Sequence, residues 1–198
     1  VCFSEYSEKV KRVCETANIF HADKIRVFSF FHAYKERNKV LDYLGGMVET
    51  AASFGVKLYH ENEKEIYGDT AERVSDLLKN VKGLGGVYDP ANYVQCEVDT
   101  LKAWEMIKPY IKYLHIKDAL ADGSVVPAGK GIGNVEFILG DYIRNGGDSV
   151  TVEPHLTVFD VLKGLEKEGD TSVVGEVYKY ATAEEAFSAA VSALRGLI

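Results

Sequence analysis

The stretch VKLYHE, residues 56–61, decides the fold class, because it shows the unit that the rest of the chain repeats. It is a short run of strand-forming residues that ends on a carboxylate, and a polar turn and an amphipathic stretch follow it. Four further short runs of strand-forming residues recur, at residues 24–31, 84–88, 111–117 and 149–153. Helical patterns follow them or separate them, at residues 5–19, 36–54, 69–80, 99–107, 135–144 and 182–197. Strands that alternate with helices predict a parallel sheet with helical crossovers.

The ends of two predicted helices carry recognisable start signals. Thr182 and Glu185 have the spacing of a capping box. Asp69 precedes a helical pattern that ends near Gly83, which indicates a start and a stop for that helix.

Such a pattern fits either an open doubly wound sheet or a closed barrel. An open sheet that binds a nucleotide usually has a glycine-rich turn directly after its first strand, and this sequence has none there. Polar residues instead fall at the carboxyl end of strand after strand, which is the face on which barrels build their active sites. The sequence therefore predicts an α/β fold of the (β/α)8 TIM-barrel type.

The length bears on how much of a barrel is present. A complete eight-stranded barrel has about 250 residues, whereas this chain has 198. Residues 171–180 could add a sixth extended segment to the five evident strands. Five or six strands leave open edges and an unfilled interior. We therefore expect residues 1–198 to form one barrel domain, the C-terminal five or six β/α units, that lacks its N-terminal strands.

Composition narrows the function classes. The formal net charge of −7 disfavours a nucleic-acid partner, and no run of about eighteen apolar residues predicts a membrane helix. Three widely spaced cysteines (Cys2, Cys14 and Cys96) fit neither a disulfide framework nor a CxxC metal site. We expect them to be small buried residues in a cytoplasmic protein. Because the sequence begins at Val1 rather than Met, an exported form stays open.

Four residues of metal-ligating type lie at the ends of consecutive predicted strands. They are Glu61, Asp89, His115 and Glu153, separated by 28, 26 and 38 residues, each about one strand–helix unit. Three carboxylates and one imidazole suit Mn²⁺, Mg²⁺ or Co²⁺ and are compatible with Zn²⁺. Clustered carboxylates repel one another, and a divalent cation removes that penalty. The spacing and the residue types predict a divalent-metal site at one end of the barrel.

At these residues the chain resembles the xylose isomerase-like TIM barrel superfamily, the sugar phosphate isomerase/epimerase group. The matching segments, in order, are IRVFSFF (25–31), VKLYHENE (56–63), GGVYDPAN (85–92), YLHIKDAL (113–120), VPAGKGIGN (126–134), TVEPHL (151–156) and the final YATAEEAFSAAVSALRGLI (180–198). The resemblance implies that Glu61, Asp89, His115 and Glu153 bind one divalent metal. It also implies a small sugar or sugar phosphate as substrate. Proton abstraction beside a carbonyl would give an ene-diolate, with Glu61 and Glu153 as the acid/base pair.

Other residues are candidates for contact with the substrate. Lys117 shares the strand face of His115, Lys130 lies in a glycine-rich loop whose amides could approach an oxyanion, and Asn92 and His155 follow metal-ligand candidates. The alternatives are an ion pair for Lys117, a flexible lid for the loop and plain exposure for His155. Asp118 is a candidate second-shell residue that would orient His115, with a loop acid as the alternative.

One further histidine is assigned a structural role. His60 is adjacent to Glu61 but has the opposite strand parity, so it is expected to face the helices. We expect a structural histidine there with its hydrogen bonds satisfied.

Rival functions remain. A polyol dehydratase of the inosose type would begin with the same proton abstraction, and a non-catalytic barrel would bind metal without turnover. An apurinic-site endonuclease of the same superfamily uses three zinc ions and needs more histidines than the five present, and Asn92 stands where such an enzyme would have one. Exposed barrel helices are compatible with a homo-oligomer.

Overall fold

The computed structural model describes residues 3–156 and 178–198, which form helices and short strands in alternation. The helices are α1 (Phe3–Ile19), α2 (Arg37–Ser53), α3 (Ala71–Asn80), α4 (Pro90–Gln95), α5 (Thr100–Ile107), α6 (Val135–Arg144) and α7 (Ala183–Arg195), with a 3-10 turn at Lys108–Tyr110. The strands are β1 (Lys24–Val27), β2 (Lys57–Glu61), β3 (Gly85–Tyr88), β4 (Ile111–Ile116), β5 (Asp118–Ala119), β6 (Val125–Val126) and β7 (Val150–Val152). The chain divides into two compact units, residues 1–88 with 105–112 and residues 89–104 with 113–198.

The first unit is built on parallel strands. β1 pairs with β2 in the register Lys24↔Lys57, and β2 pairs with β3 in the register Glu61↔Val87. Helix α2 buries one face, since Val40, Leu44, Met47 and Ala51 recur at helical spacing and are almost inaccessible. The α/β class predicted from the alternation is confirmed in this unit.

β3 carries glycine where neighbouring chain segments approach it most closely. A Cβ on Gly85 would lie 2.5 Å from the Tyr59 ring of β2 and 2.7 Å from the Lys112 side chain at the start of β4. A Cβ on Gly86 would lie 2.7 Å from Ile111. Both positions therefore require the absence of a side chain, which explains the Gly-Gly pair in a strand interior.

The second unit contains most of β4 together with β7. These strands are parallel, with Leu114 opposite Val150 and Ile116 opposite Val152. A small core holds the C-terminal helix in place, because Ala186 and Ala190 of α7 pack with Val125 and Leu156. The capping box predicted at Thr182 is confirmed, since the Thr182 hydroxyl accepts a hydrogen bond from the Glu185 N–H at 3.2 Å.

The five predicted core strands and six predicted helices are all present, with three differences. Helix α3 is capped by Thr70, whose hydroxyl accepts from the Arg73 N–H, so Asp69 was the wrong cap by one residue. The run predicted at residues 24–31 ends as a strand at Val27. The prediction did not include α4 or the antiparallel β5–β6 pair. Residues 171–177 of the proposed sixth segment lie outside the described residues.

Cys14 is fully buried, as expected of a small apolar residue, whereas the expectation is wrong for Cys96, which is only partly buried. Cys2 lies outside the described residues. Neither Cys14 nor Cys96 forms a disulfide in the described part of the chain. Within that part, the helices are too short or too polar to cross a membrane.

Candidate metal centre

Asp89 has two roles, one for each carboxylate oxygen. It follows β3 directly and caps α4, its Oδ1 accepting a hydrogen bond from the Asn92 N–H at 3.0 Å, with Pro90 as the first helical residue. Its Oδ2 lies 3.0 Å from the Lys117 ammonium. The side chain is completely buried. The cap fixes the carboxylate, so that its second oxygen is held in position.

His115 and Glu153 lie on the paired strands β4 and β7. His115 Nδ1 is 3.0 Å from Glu153 Oε1, and the backbone N–H of Glu153 donates to the Ile116 carbonyl at 3.2 Å. Burial alone would raise the pKa of Glu153, but the His115 hydrogen bond and the charge of Lys117 outweigh it and hold that pKa well below its usual range. Glu153 is therefore a carboxylate at neutral pH.

Asp89, His115 and Glu153 each offer a ligand atom, and these three atoms lie within 4.8 Å of one another. Lys117, which is 5% exposed, lies 3.4 Å from Glu153 Oε2 as well as close to Asp89. The carboxylates have thus attracted a cationic group, which shows that the cluster is electrostatically suited to positive charge. Two carboxylates and one imidazole fit a divalent ion such as Mn²⁺, Mg²⁺, Co²⁺ or Zn²⁺.

Glu61, the fourth predicted ligand, ends β2 in the first unit and is 2% exposed. Its Oε2 is 3.2 Å from Arg26 Nε, and the Arg26 guanidinium stacks 4.1 Å from the centre of the Phe28 ring. Arg26 thus gives this buried side chain a charged partner.

The glycine-rich loop is organised by Asp118 rather than by an external anion. The Asp118 carboxylate is fully buried and accepts four backbone hydrogen bonds of 2.8 to 3.0 Å. Their donors are Ala119, Gly129, Gly131 and Gly133. Burial raises the pKa of Asp118, and the four amides oppose that rise. These glycine amides therefore cannot form the anion cradle that the sequence indicated.

The remaining candidates lie in different environments. Lys130 is exposed in the loop, and Asn92 is buried in α4. His155 Nε2 is 3.8 Å from Glu153 Oε2, and its backbone has the positive φ of 26° that non-glycine residues rarely adopt. His155 therefore adjoins the cluster. Asp118, which was predicted to orient His115, accepts its hydrogen bonds from the glycine-rich loop instead.

His60 is completely buried, and its expected orientation toward the helices stays a prediction. The expectation of satisfied hydrogen bonds is wrong, because neither ring nitrogen has a partner among the described residues. Gly68 packs directly on the ring. Desolvation lowers the pKa of His60 to about 3.

Comparisons with known proteins show which family and which solved structures this chain resembles. A family model described as xylose isomerase-like TIM barrel matches residues 4–146. The probable 3-DHS dehydratase AsbF of Bacillus anthracis is 21% identical with a TM-score of 0.68, and the match covers 77% of this chain and 65% of AsbF. This chain thus spans less than two thirds of AsbF. No curated protein matches the sequence significantly.

Two further solved structures cover nearly the whole chain. A D-tagatose 3-epimerase-like protein is 16% identical with a TM-score of 0.70, over 96% of this chain and 67% of the other. The IOLI protein, solved with a bound zinc atom, is 16% identical with a TM-score of 0.72, over 96% of this chain and 68% of the other. At these identities the likeness establishes the barrel fold.

Proposed function

The chain belongs to the xylose isomerase-like TIM barrel family, and from that premise we propose that it takes part in divalent-metal-dependent isomerisation or epimerisation of a sugar, ketose or sugar phosphate. The observation that carries the proposal is the cluster of Asp89, His115 and Glu153, whose ligand atoms lie within 4.8 Å. A buried carboxylate–imidazole cluster that already attracts a cation has the properties of a site for hard divalent metals.

Glu61 is proposed as the fourth ligand. In the first unit Glu61 lies opposite Val87 on the parallel strand β3, two residues before Asp89 in the chain. Carboxyl ends of adjacent parallel strands open on the same edge of a sheet, which supports a common site for the two carboxylates. A bound divalent ion would polarise the carbonyl and the neighbouring hydroxyl of the substrate.

Glu153 is proposed as one member of the acid/base pair and Glu61 as the other. Glu153 lies in the cluster of ligand-type side chains, where its carboxylate could accept the proton from the carbon beside a carbonyl. The bond electrons move to the carbonyl oxygen, and the proton returns to the neighbouring carbon or to the opposite face. Lys117, Lys130, Asn92 and His155 are proposed as substrate contacts; Lys117 and His155 are supported by their closeness to Glu153.

Metal content and turnover test this proposal together. Elemental mass spectrometry on the purified protein should find about one divalent ion per chain, and the Glu153→Gln/His115→Ala variant should lose it. Wild-type protein should exchange the proton beside the carbonyl of a ketose with deuterated water, and Glu153→Gln should not. A protein without metal after incubation with Mn²⁺ or Zn²⁺ would contradict the proposal.

A dehydratase is the second candidate, and His155 favours it. Its imidazole lies 3.8 Å from Glu153, so an acid could stand beside the base and protonate a departing hydroxyl after proton abstraction. Product analysis separates the two reactions, because elimination releases water and gives an unsaturated product, whereas epimerisation conserves the substrate mass.

A further inference from the structure

The ammonium group of a lysine lies beside the carboxylate oxygens of the candidate metal centre. Lys117 directly follows β4, on the strand face of His115, and its side chain is 5% exposed. Its ammonium lies 3.0 Å from Asp89 Oδ2 and 3.4 Å from Glu153 Oε2. Both partners belong to the proposed ligand set, so Lys117 and a divalent ion would use the same negative charge.

The charges of this group of side chains depend on one another. A buried ammonium is costly without carboxylate partners, and two nearby carboxylates are costly without a cation between them. With Lys117 in place, the pair Asp89 and Glu153 is left with a single net negative charge. A divalent ion bound by the same carboxylate oxygens would lie close to the Lys117 ammonium, and the two positive charges would repel each other.

The backbone beside Lys117 is fixed, which limits the movement to its side chain. Asp118, the next residue, is held by four backbone amides through both carboxylate oxygens. The strand before Lys117 is paired with β7, with Ile116 opposite Val152. Rotation about the side-chain bonds of Lys117 is therefore the response available to an incoming cation.

We propose that Lys117 is a built-in counter-cation that stabilises the metal-free cluster and gives up Asp89 and Glu153 when a divalent ion binds. The inference rests on the proposed metal site and adds to it an exchange of one cation for another. It makes Lys117 a residue that weakens metal binding, whereas a residue that only supports the ligands would strengthen it. After exchange, the ammonium could contact an oxygen of the substrate.

Calorimetric titration with Mn²⁺ tests the exchange directly. Lys117→Met should bind Mn²⁺ about tenfold more tightly than the wild type, because the ion no longer has to displace an ammonium from Asp89 and Glu153. Lys102→Met is the matched control, since Lys102 is 85% exposed on α5, and it should bind within about twofold of the wild type. An unchanged or weaker affinity of Lys117→Met overturns the inference while leaving the metal site intact. No binding by any of the three proteins overturns both.

A second measurement uses the wild type and does not depend on the folding of a variant. Reductive methylation followed by peptide mass spectrometry reports the reactivity of each lysine. Lys117 should be protected in metal-free protein and should react several-fold faster once Mn²⁺ has taken its carboxylate partners. Equal or slower modification of Lys117 in the presence of Mn²⁺ would show that the ammonium does not leave, and the exchange would be wrong.

Discussion

Acidification should destabilise the protein through His60 in a measurable way. The imidazole is completely buried without a partner among the described residues, and its pKa is lowered from 6.5 to about 3. The unfolded chain takes up a proton below about pH 6.5, whereas the folded protein resists it down to about pH 3. Stability from this residue is therefore present above pH 6.5 and is lost as the pH falls. The loss is about 2 kcal/mol at pH 5, at about 1.4 kcal/mol per pH unit.

Urea unfolding at pH 7, 6 and 5 measures this loss, in EDTA so that no metal contributes. His60→Leu removes the titrating group and keeps an apolar side chain in a buried position. The difference in unfolding free energy between the wild type and the variant should shift by about 2 kcal/mol against the wild type from pH 7 to pH 5. A constant difference over this range would refute the reasoning, because it would mean that His60 is protonated equally readily in both states.

Two other substitutions test the packing and polar contacts around the site. Asp118→Asn should cost about 3 kcal/mol and expose the 129–133 loop to hydrogen exchange, because an amide can supply only one of the two oxygens that accept four N–H groups; protection equal to that of the wild type would contradict this. Gly85→Ala should lower the unfolding free energy by about 1–3 kcal/mol in urea titrations, because the new methyl would lie 2.5 Å from the Tyr59 ring. Gly55→Ala, at a glycine with no neighbour within 4 Å but a φ of +72°, separates the cost of crowding from that of backbone strain.

The sequence predicted the strand-end carboxylates well, because two simple regularities place them. Strand side chains alternate between faces, and parallel strands joined by helices end at the same edge. Counting from Glu61 and His115 therefore indicated where both side chains stand on their strands.

Local sequence patterns could not predict the contacts between residues that are distant in the sequence. The Asp118 carboxylate meets amides 11 to 15 residues further on, and no local pattern specifies that closure. Whether the ring nitrogens of His60 find hydrogen-bond partners depends on which side chains surround the ring, and strand parity does not predict those neighbours. Helix α4 did have a local signal, since Asp89-Pro90 is a typical cap followed by proline at the first helical position. Its six residues are too few to show an amphipathic period.

The double use of Asp89 links function to folding. One oxygen of this carboxylate begins helix α4, and the other faces the cluster. Asp89→Ala would remove the helix cap as well as the second oxygen, so a loss of stability would accompany any loss of metal binding. Selection on foldability alone would then preserve a carboxylate or an amide here after activity had been lost. A relative with asparagine at this position would keep the helix cap but lose the carboxylate proposed to bind the metal.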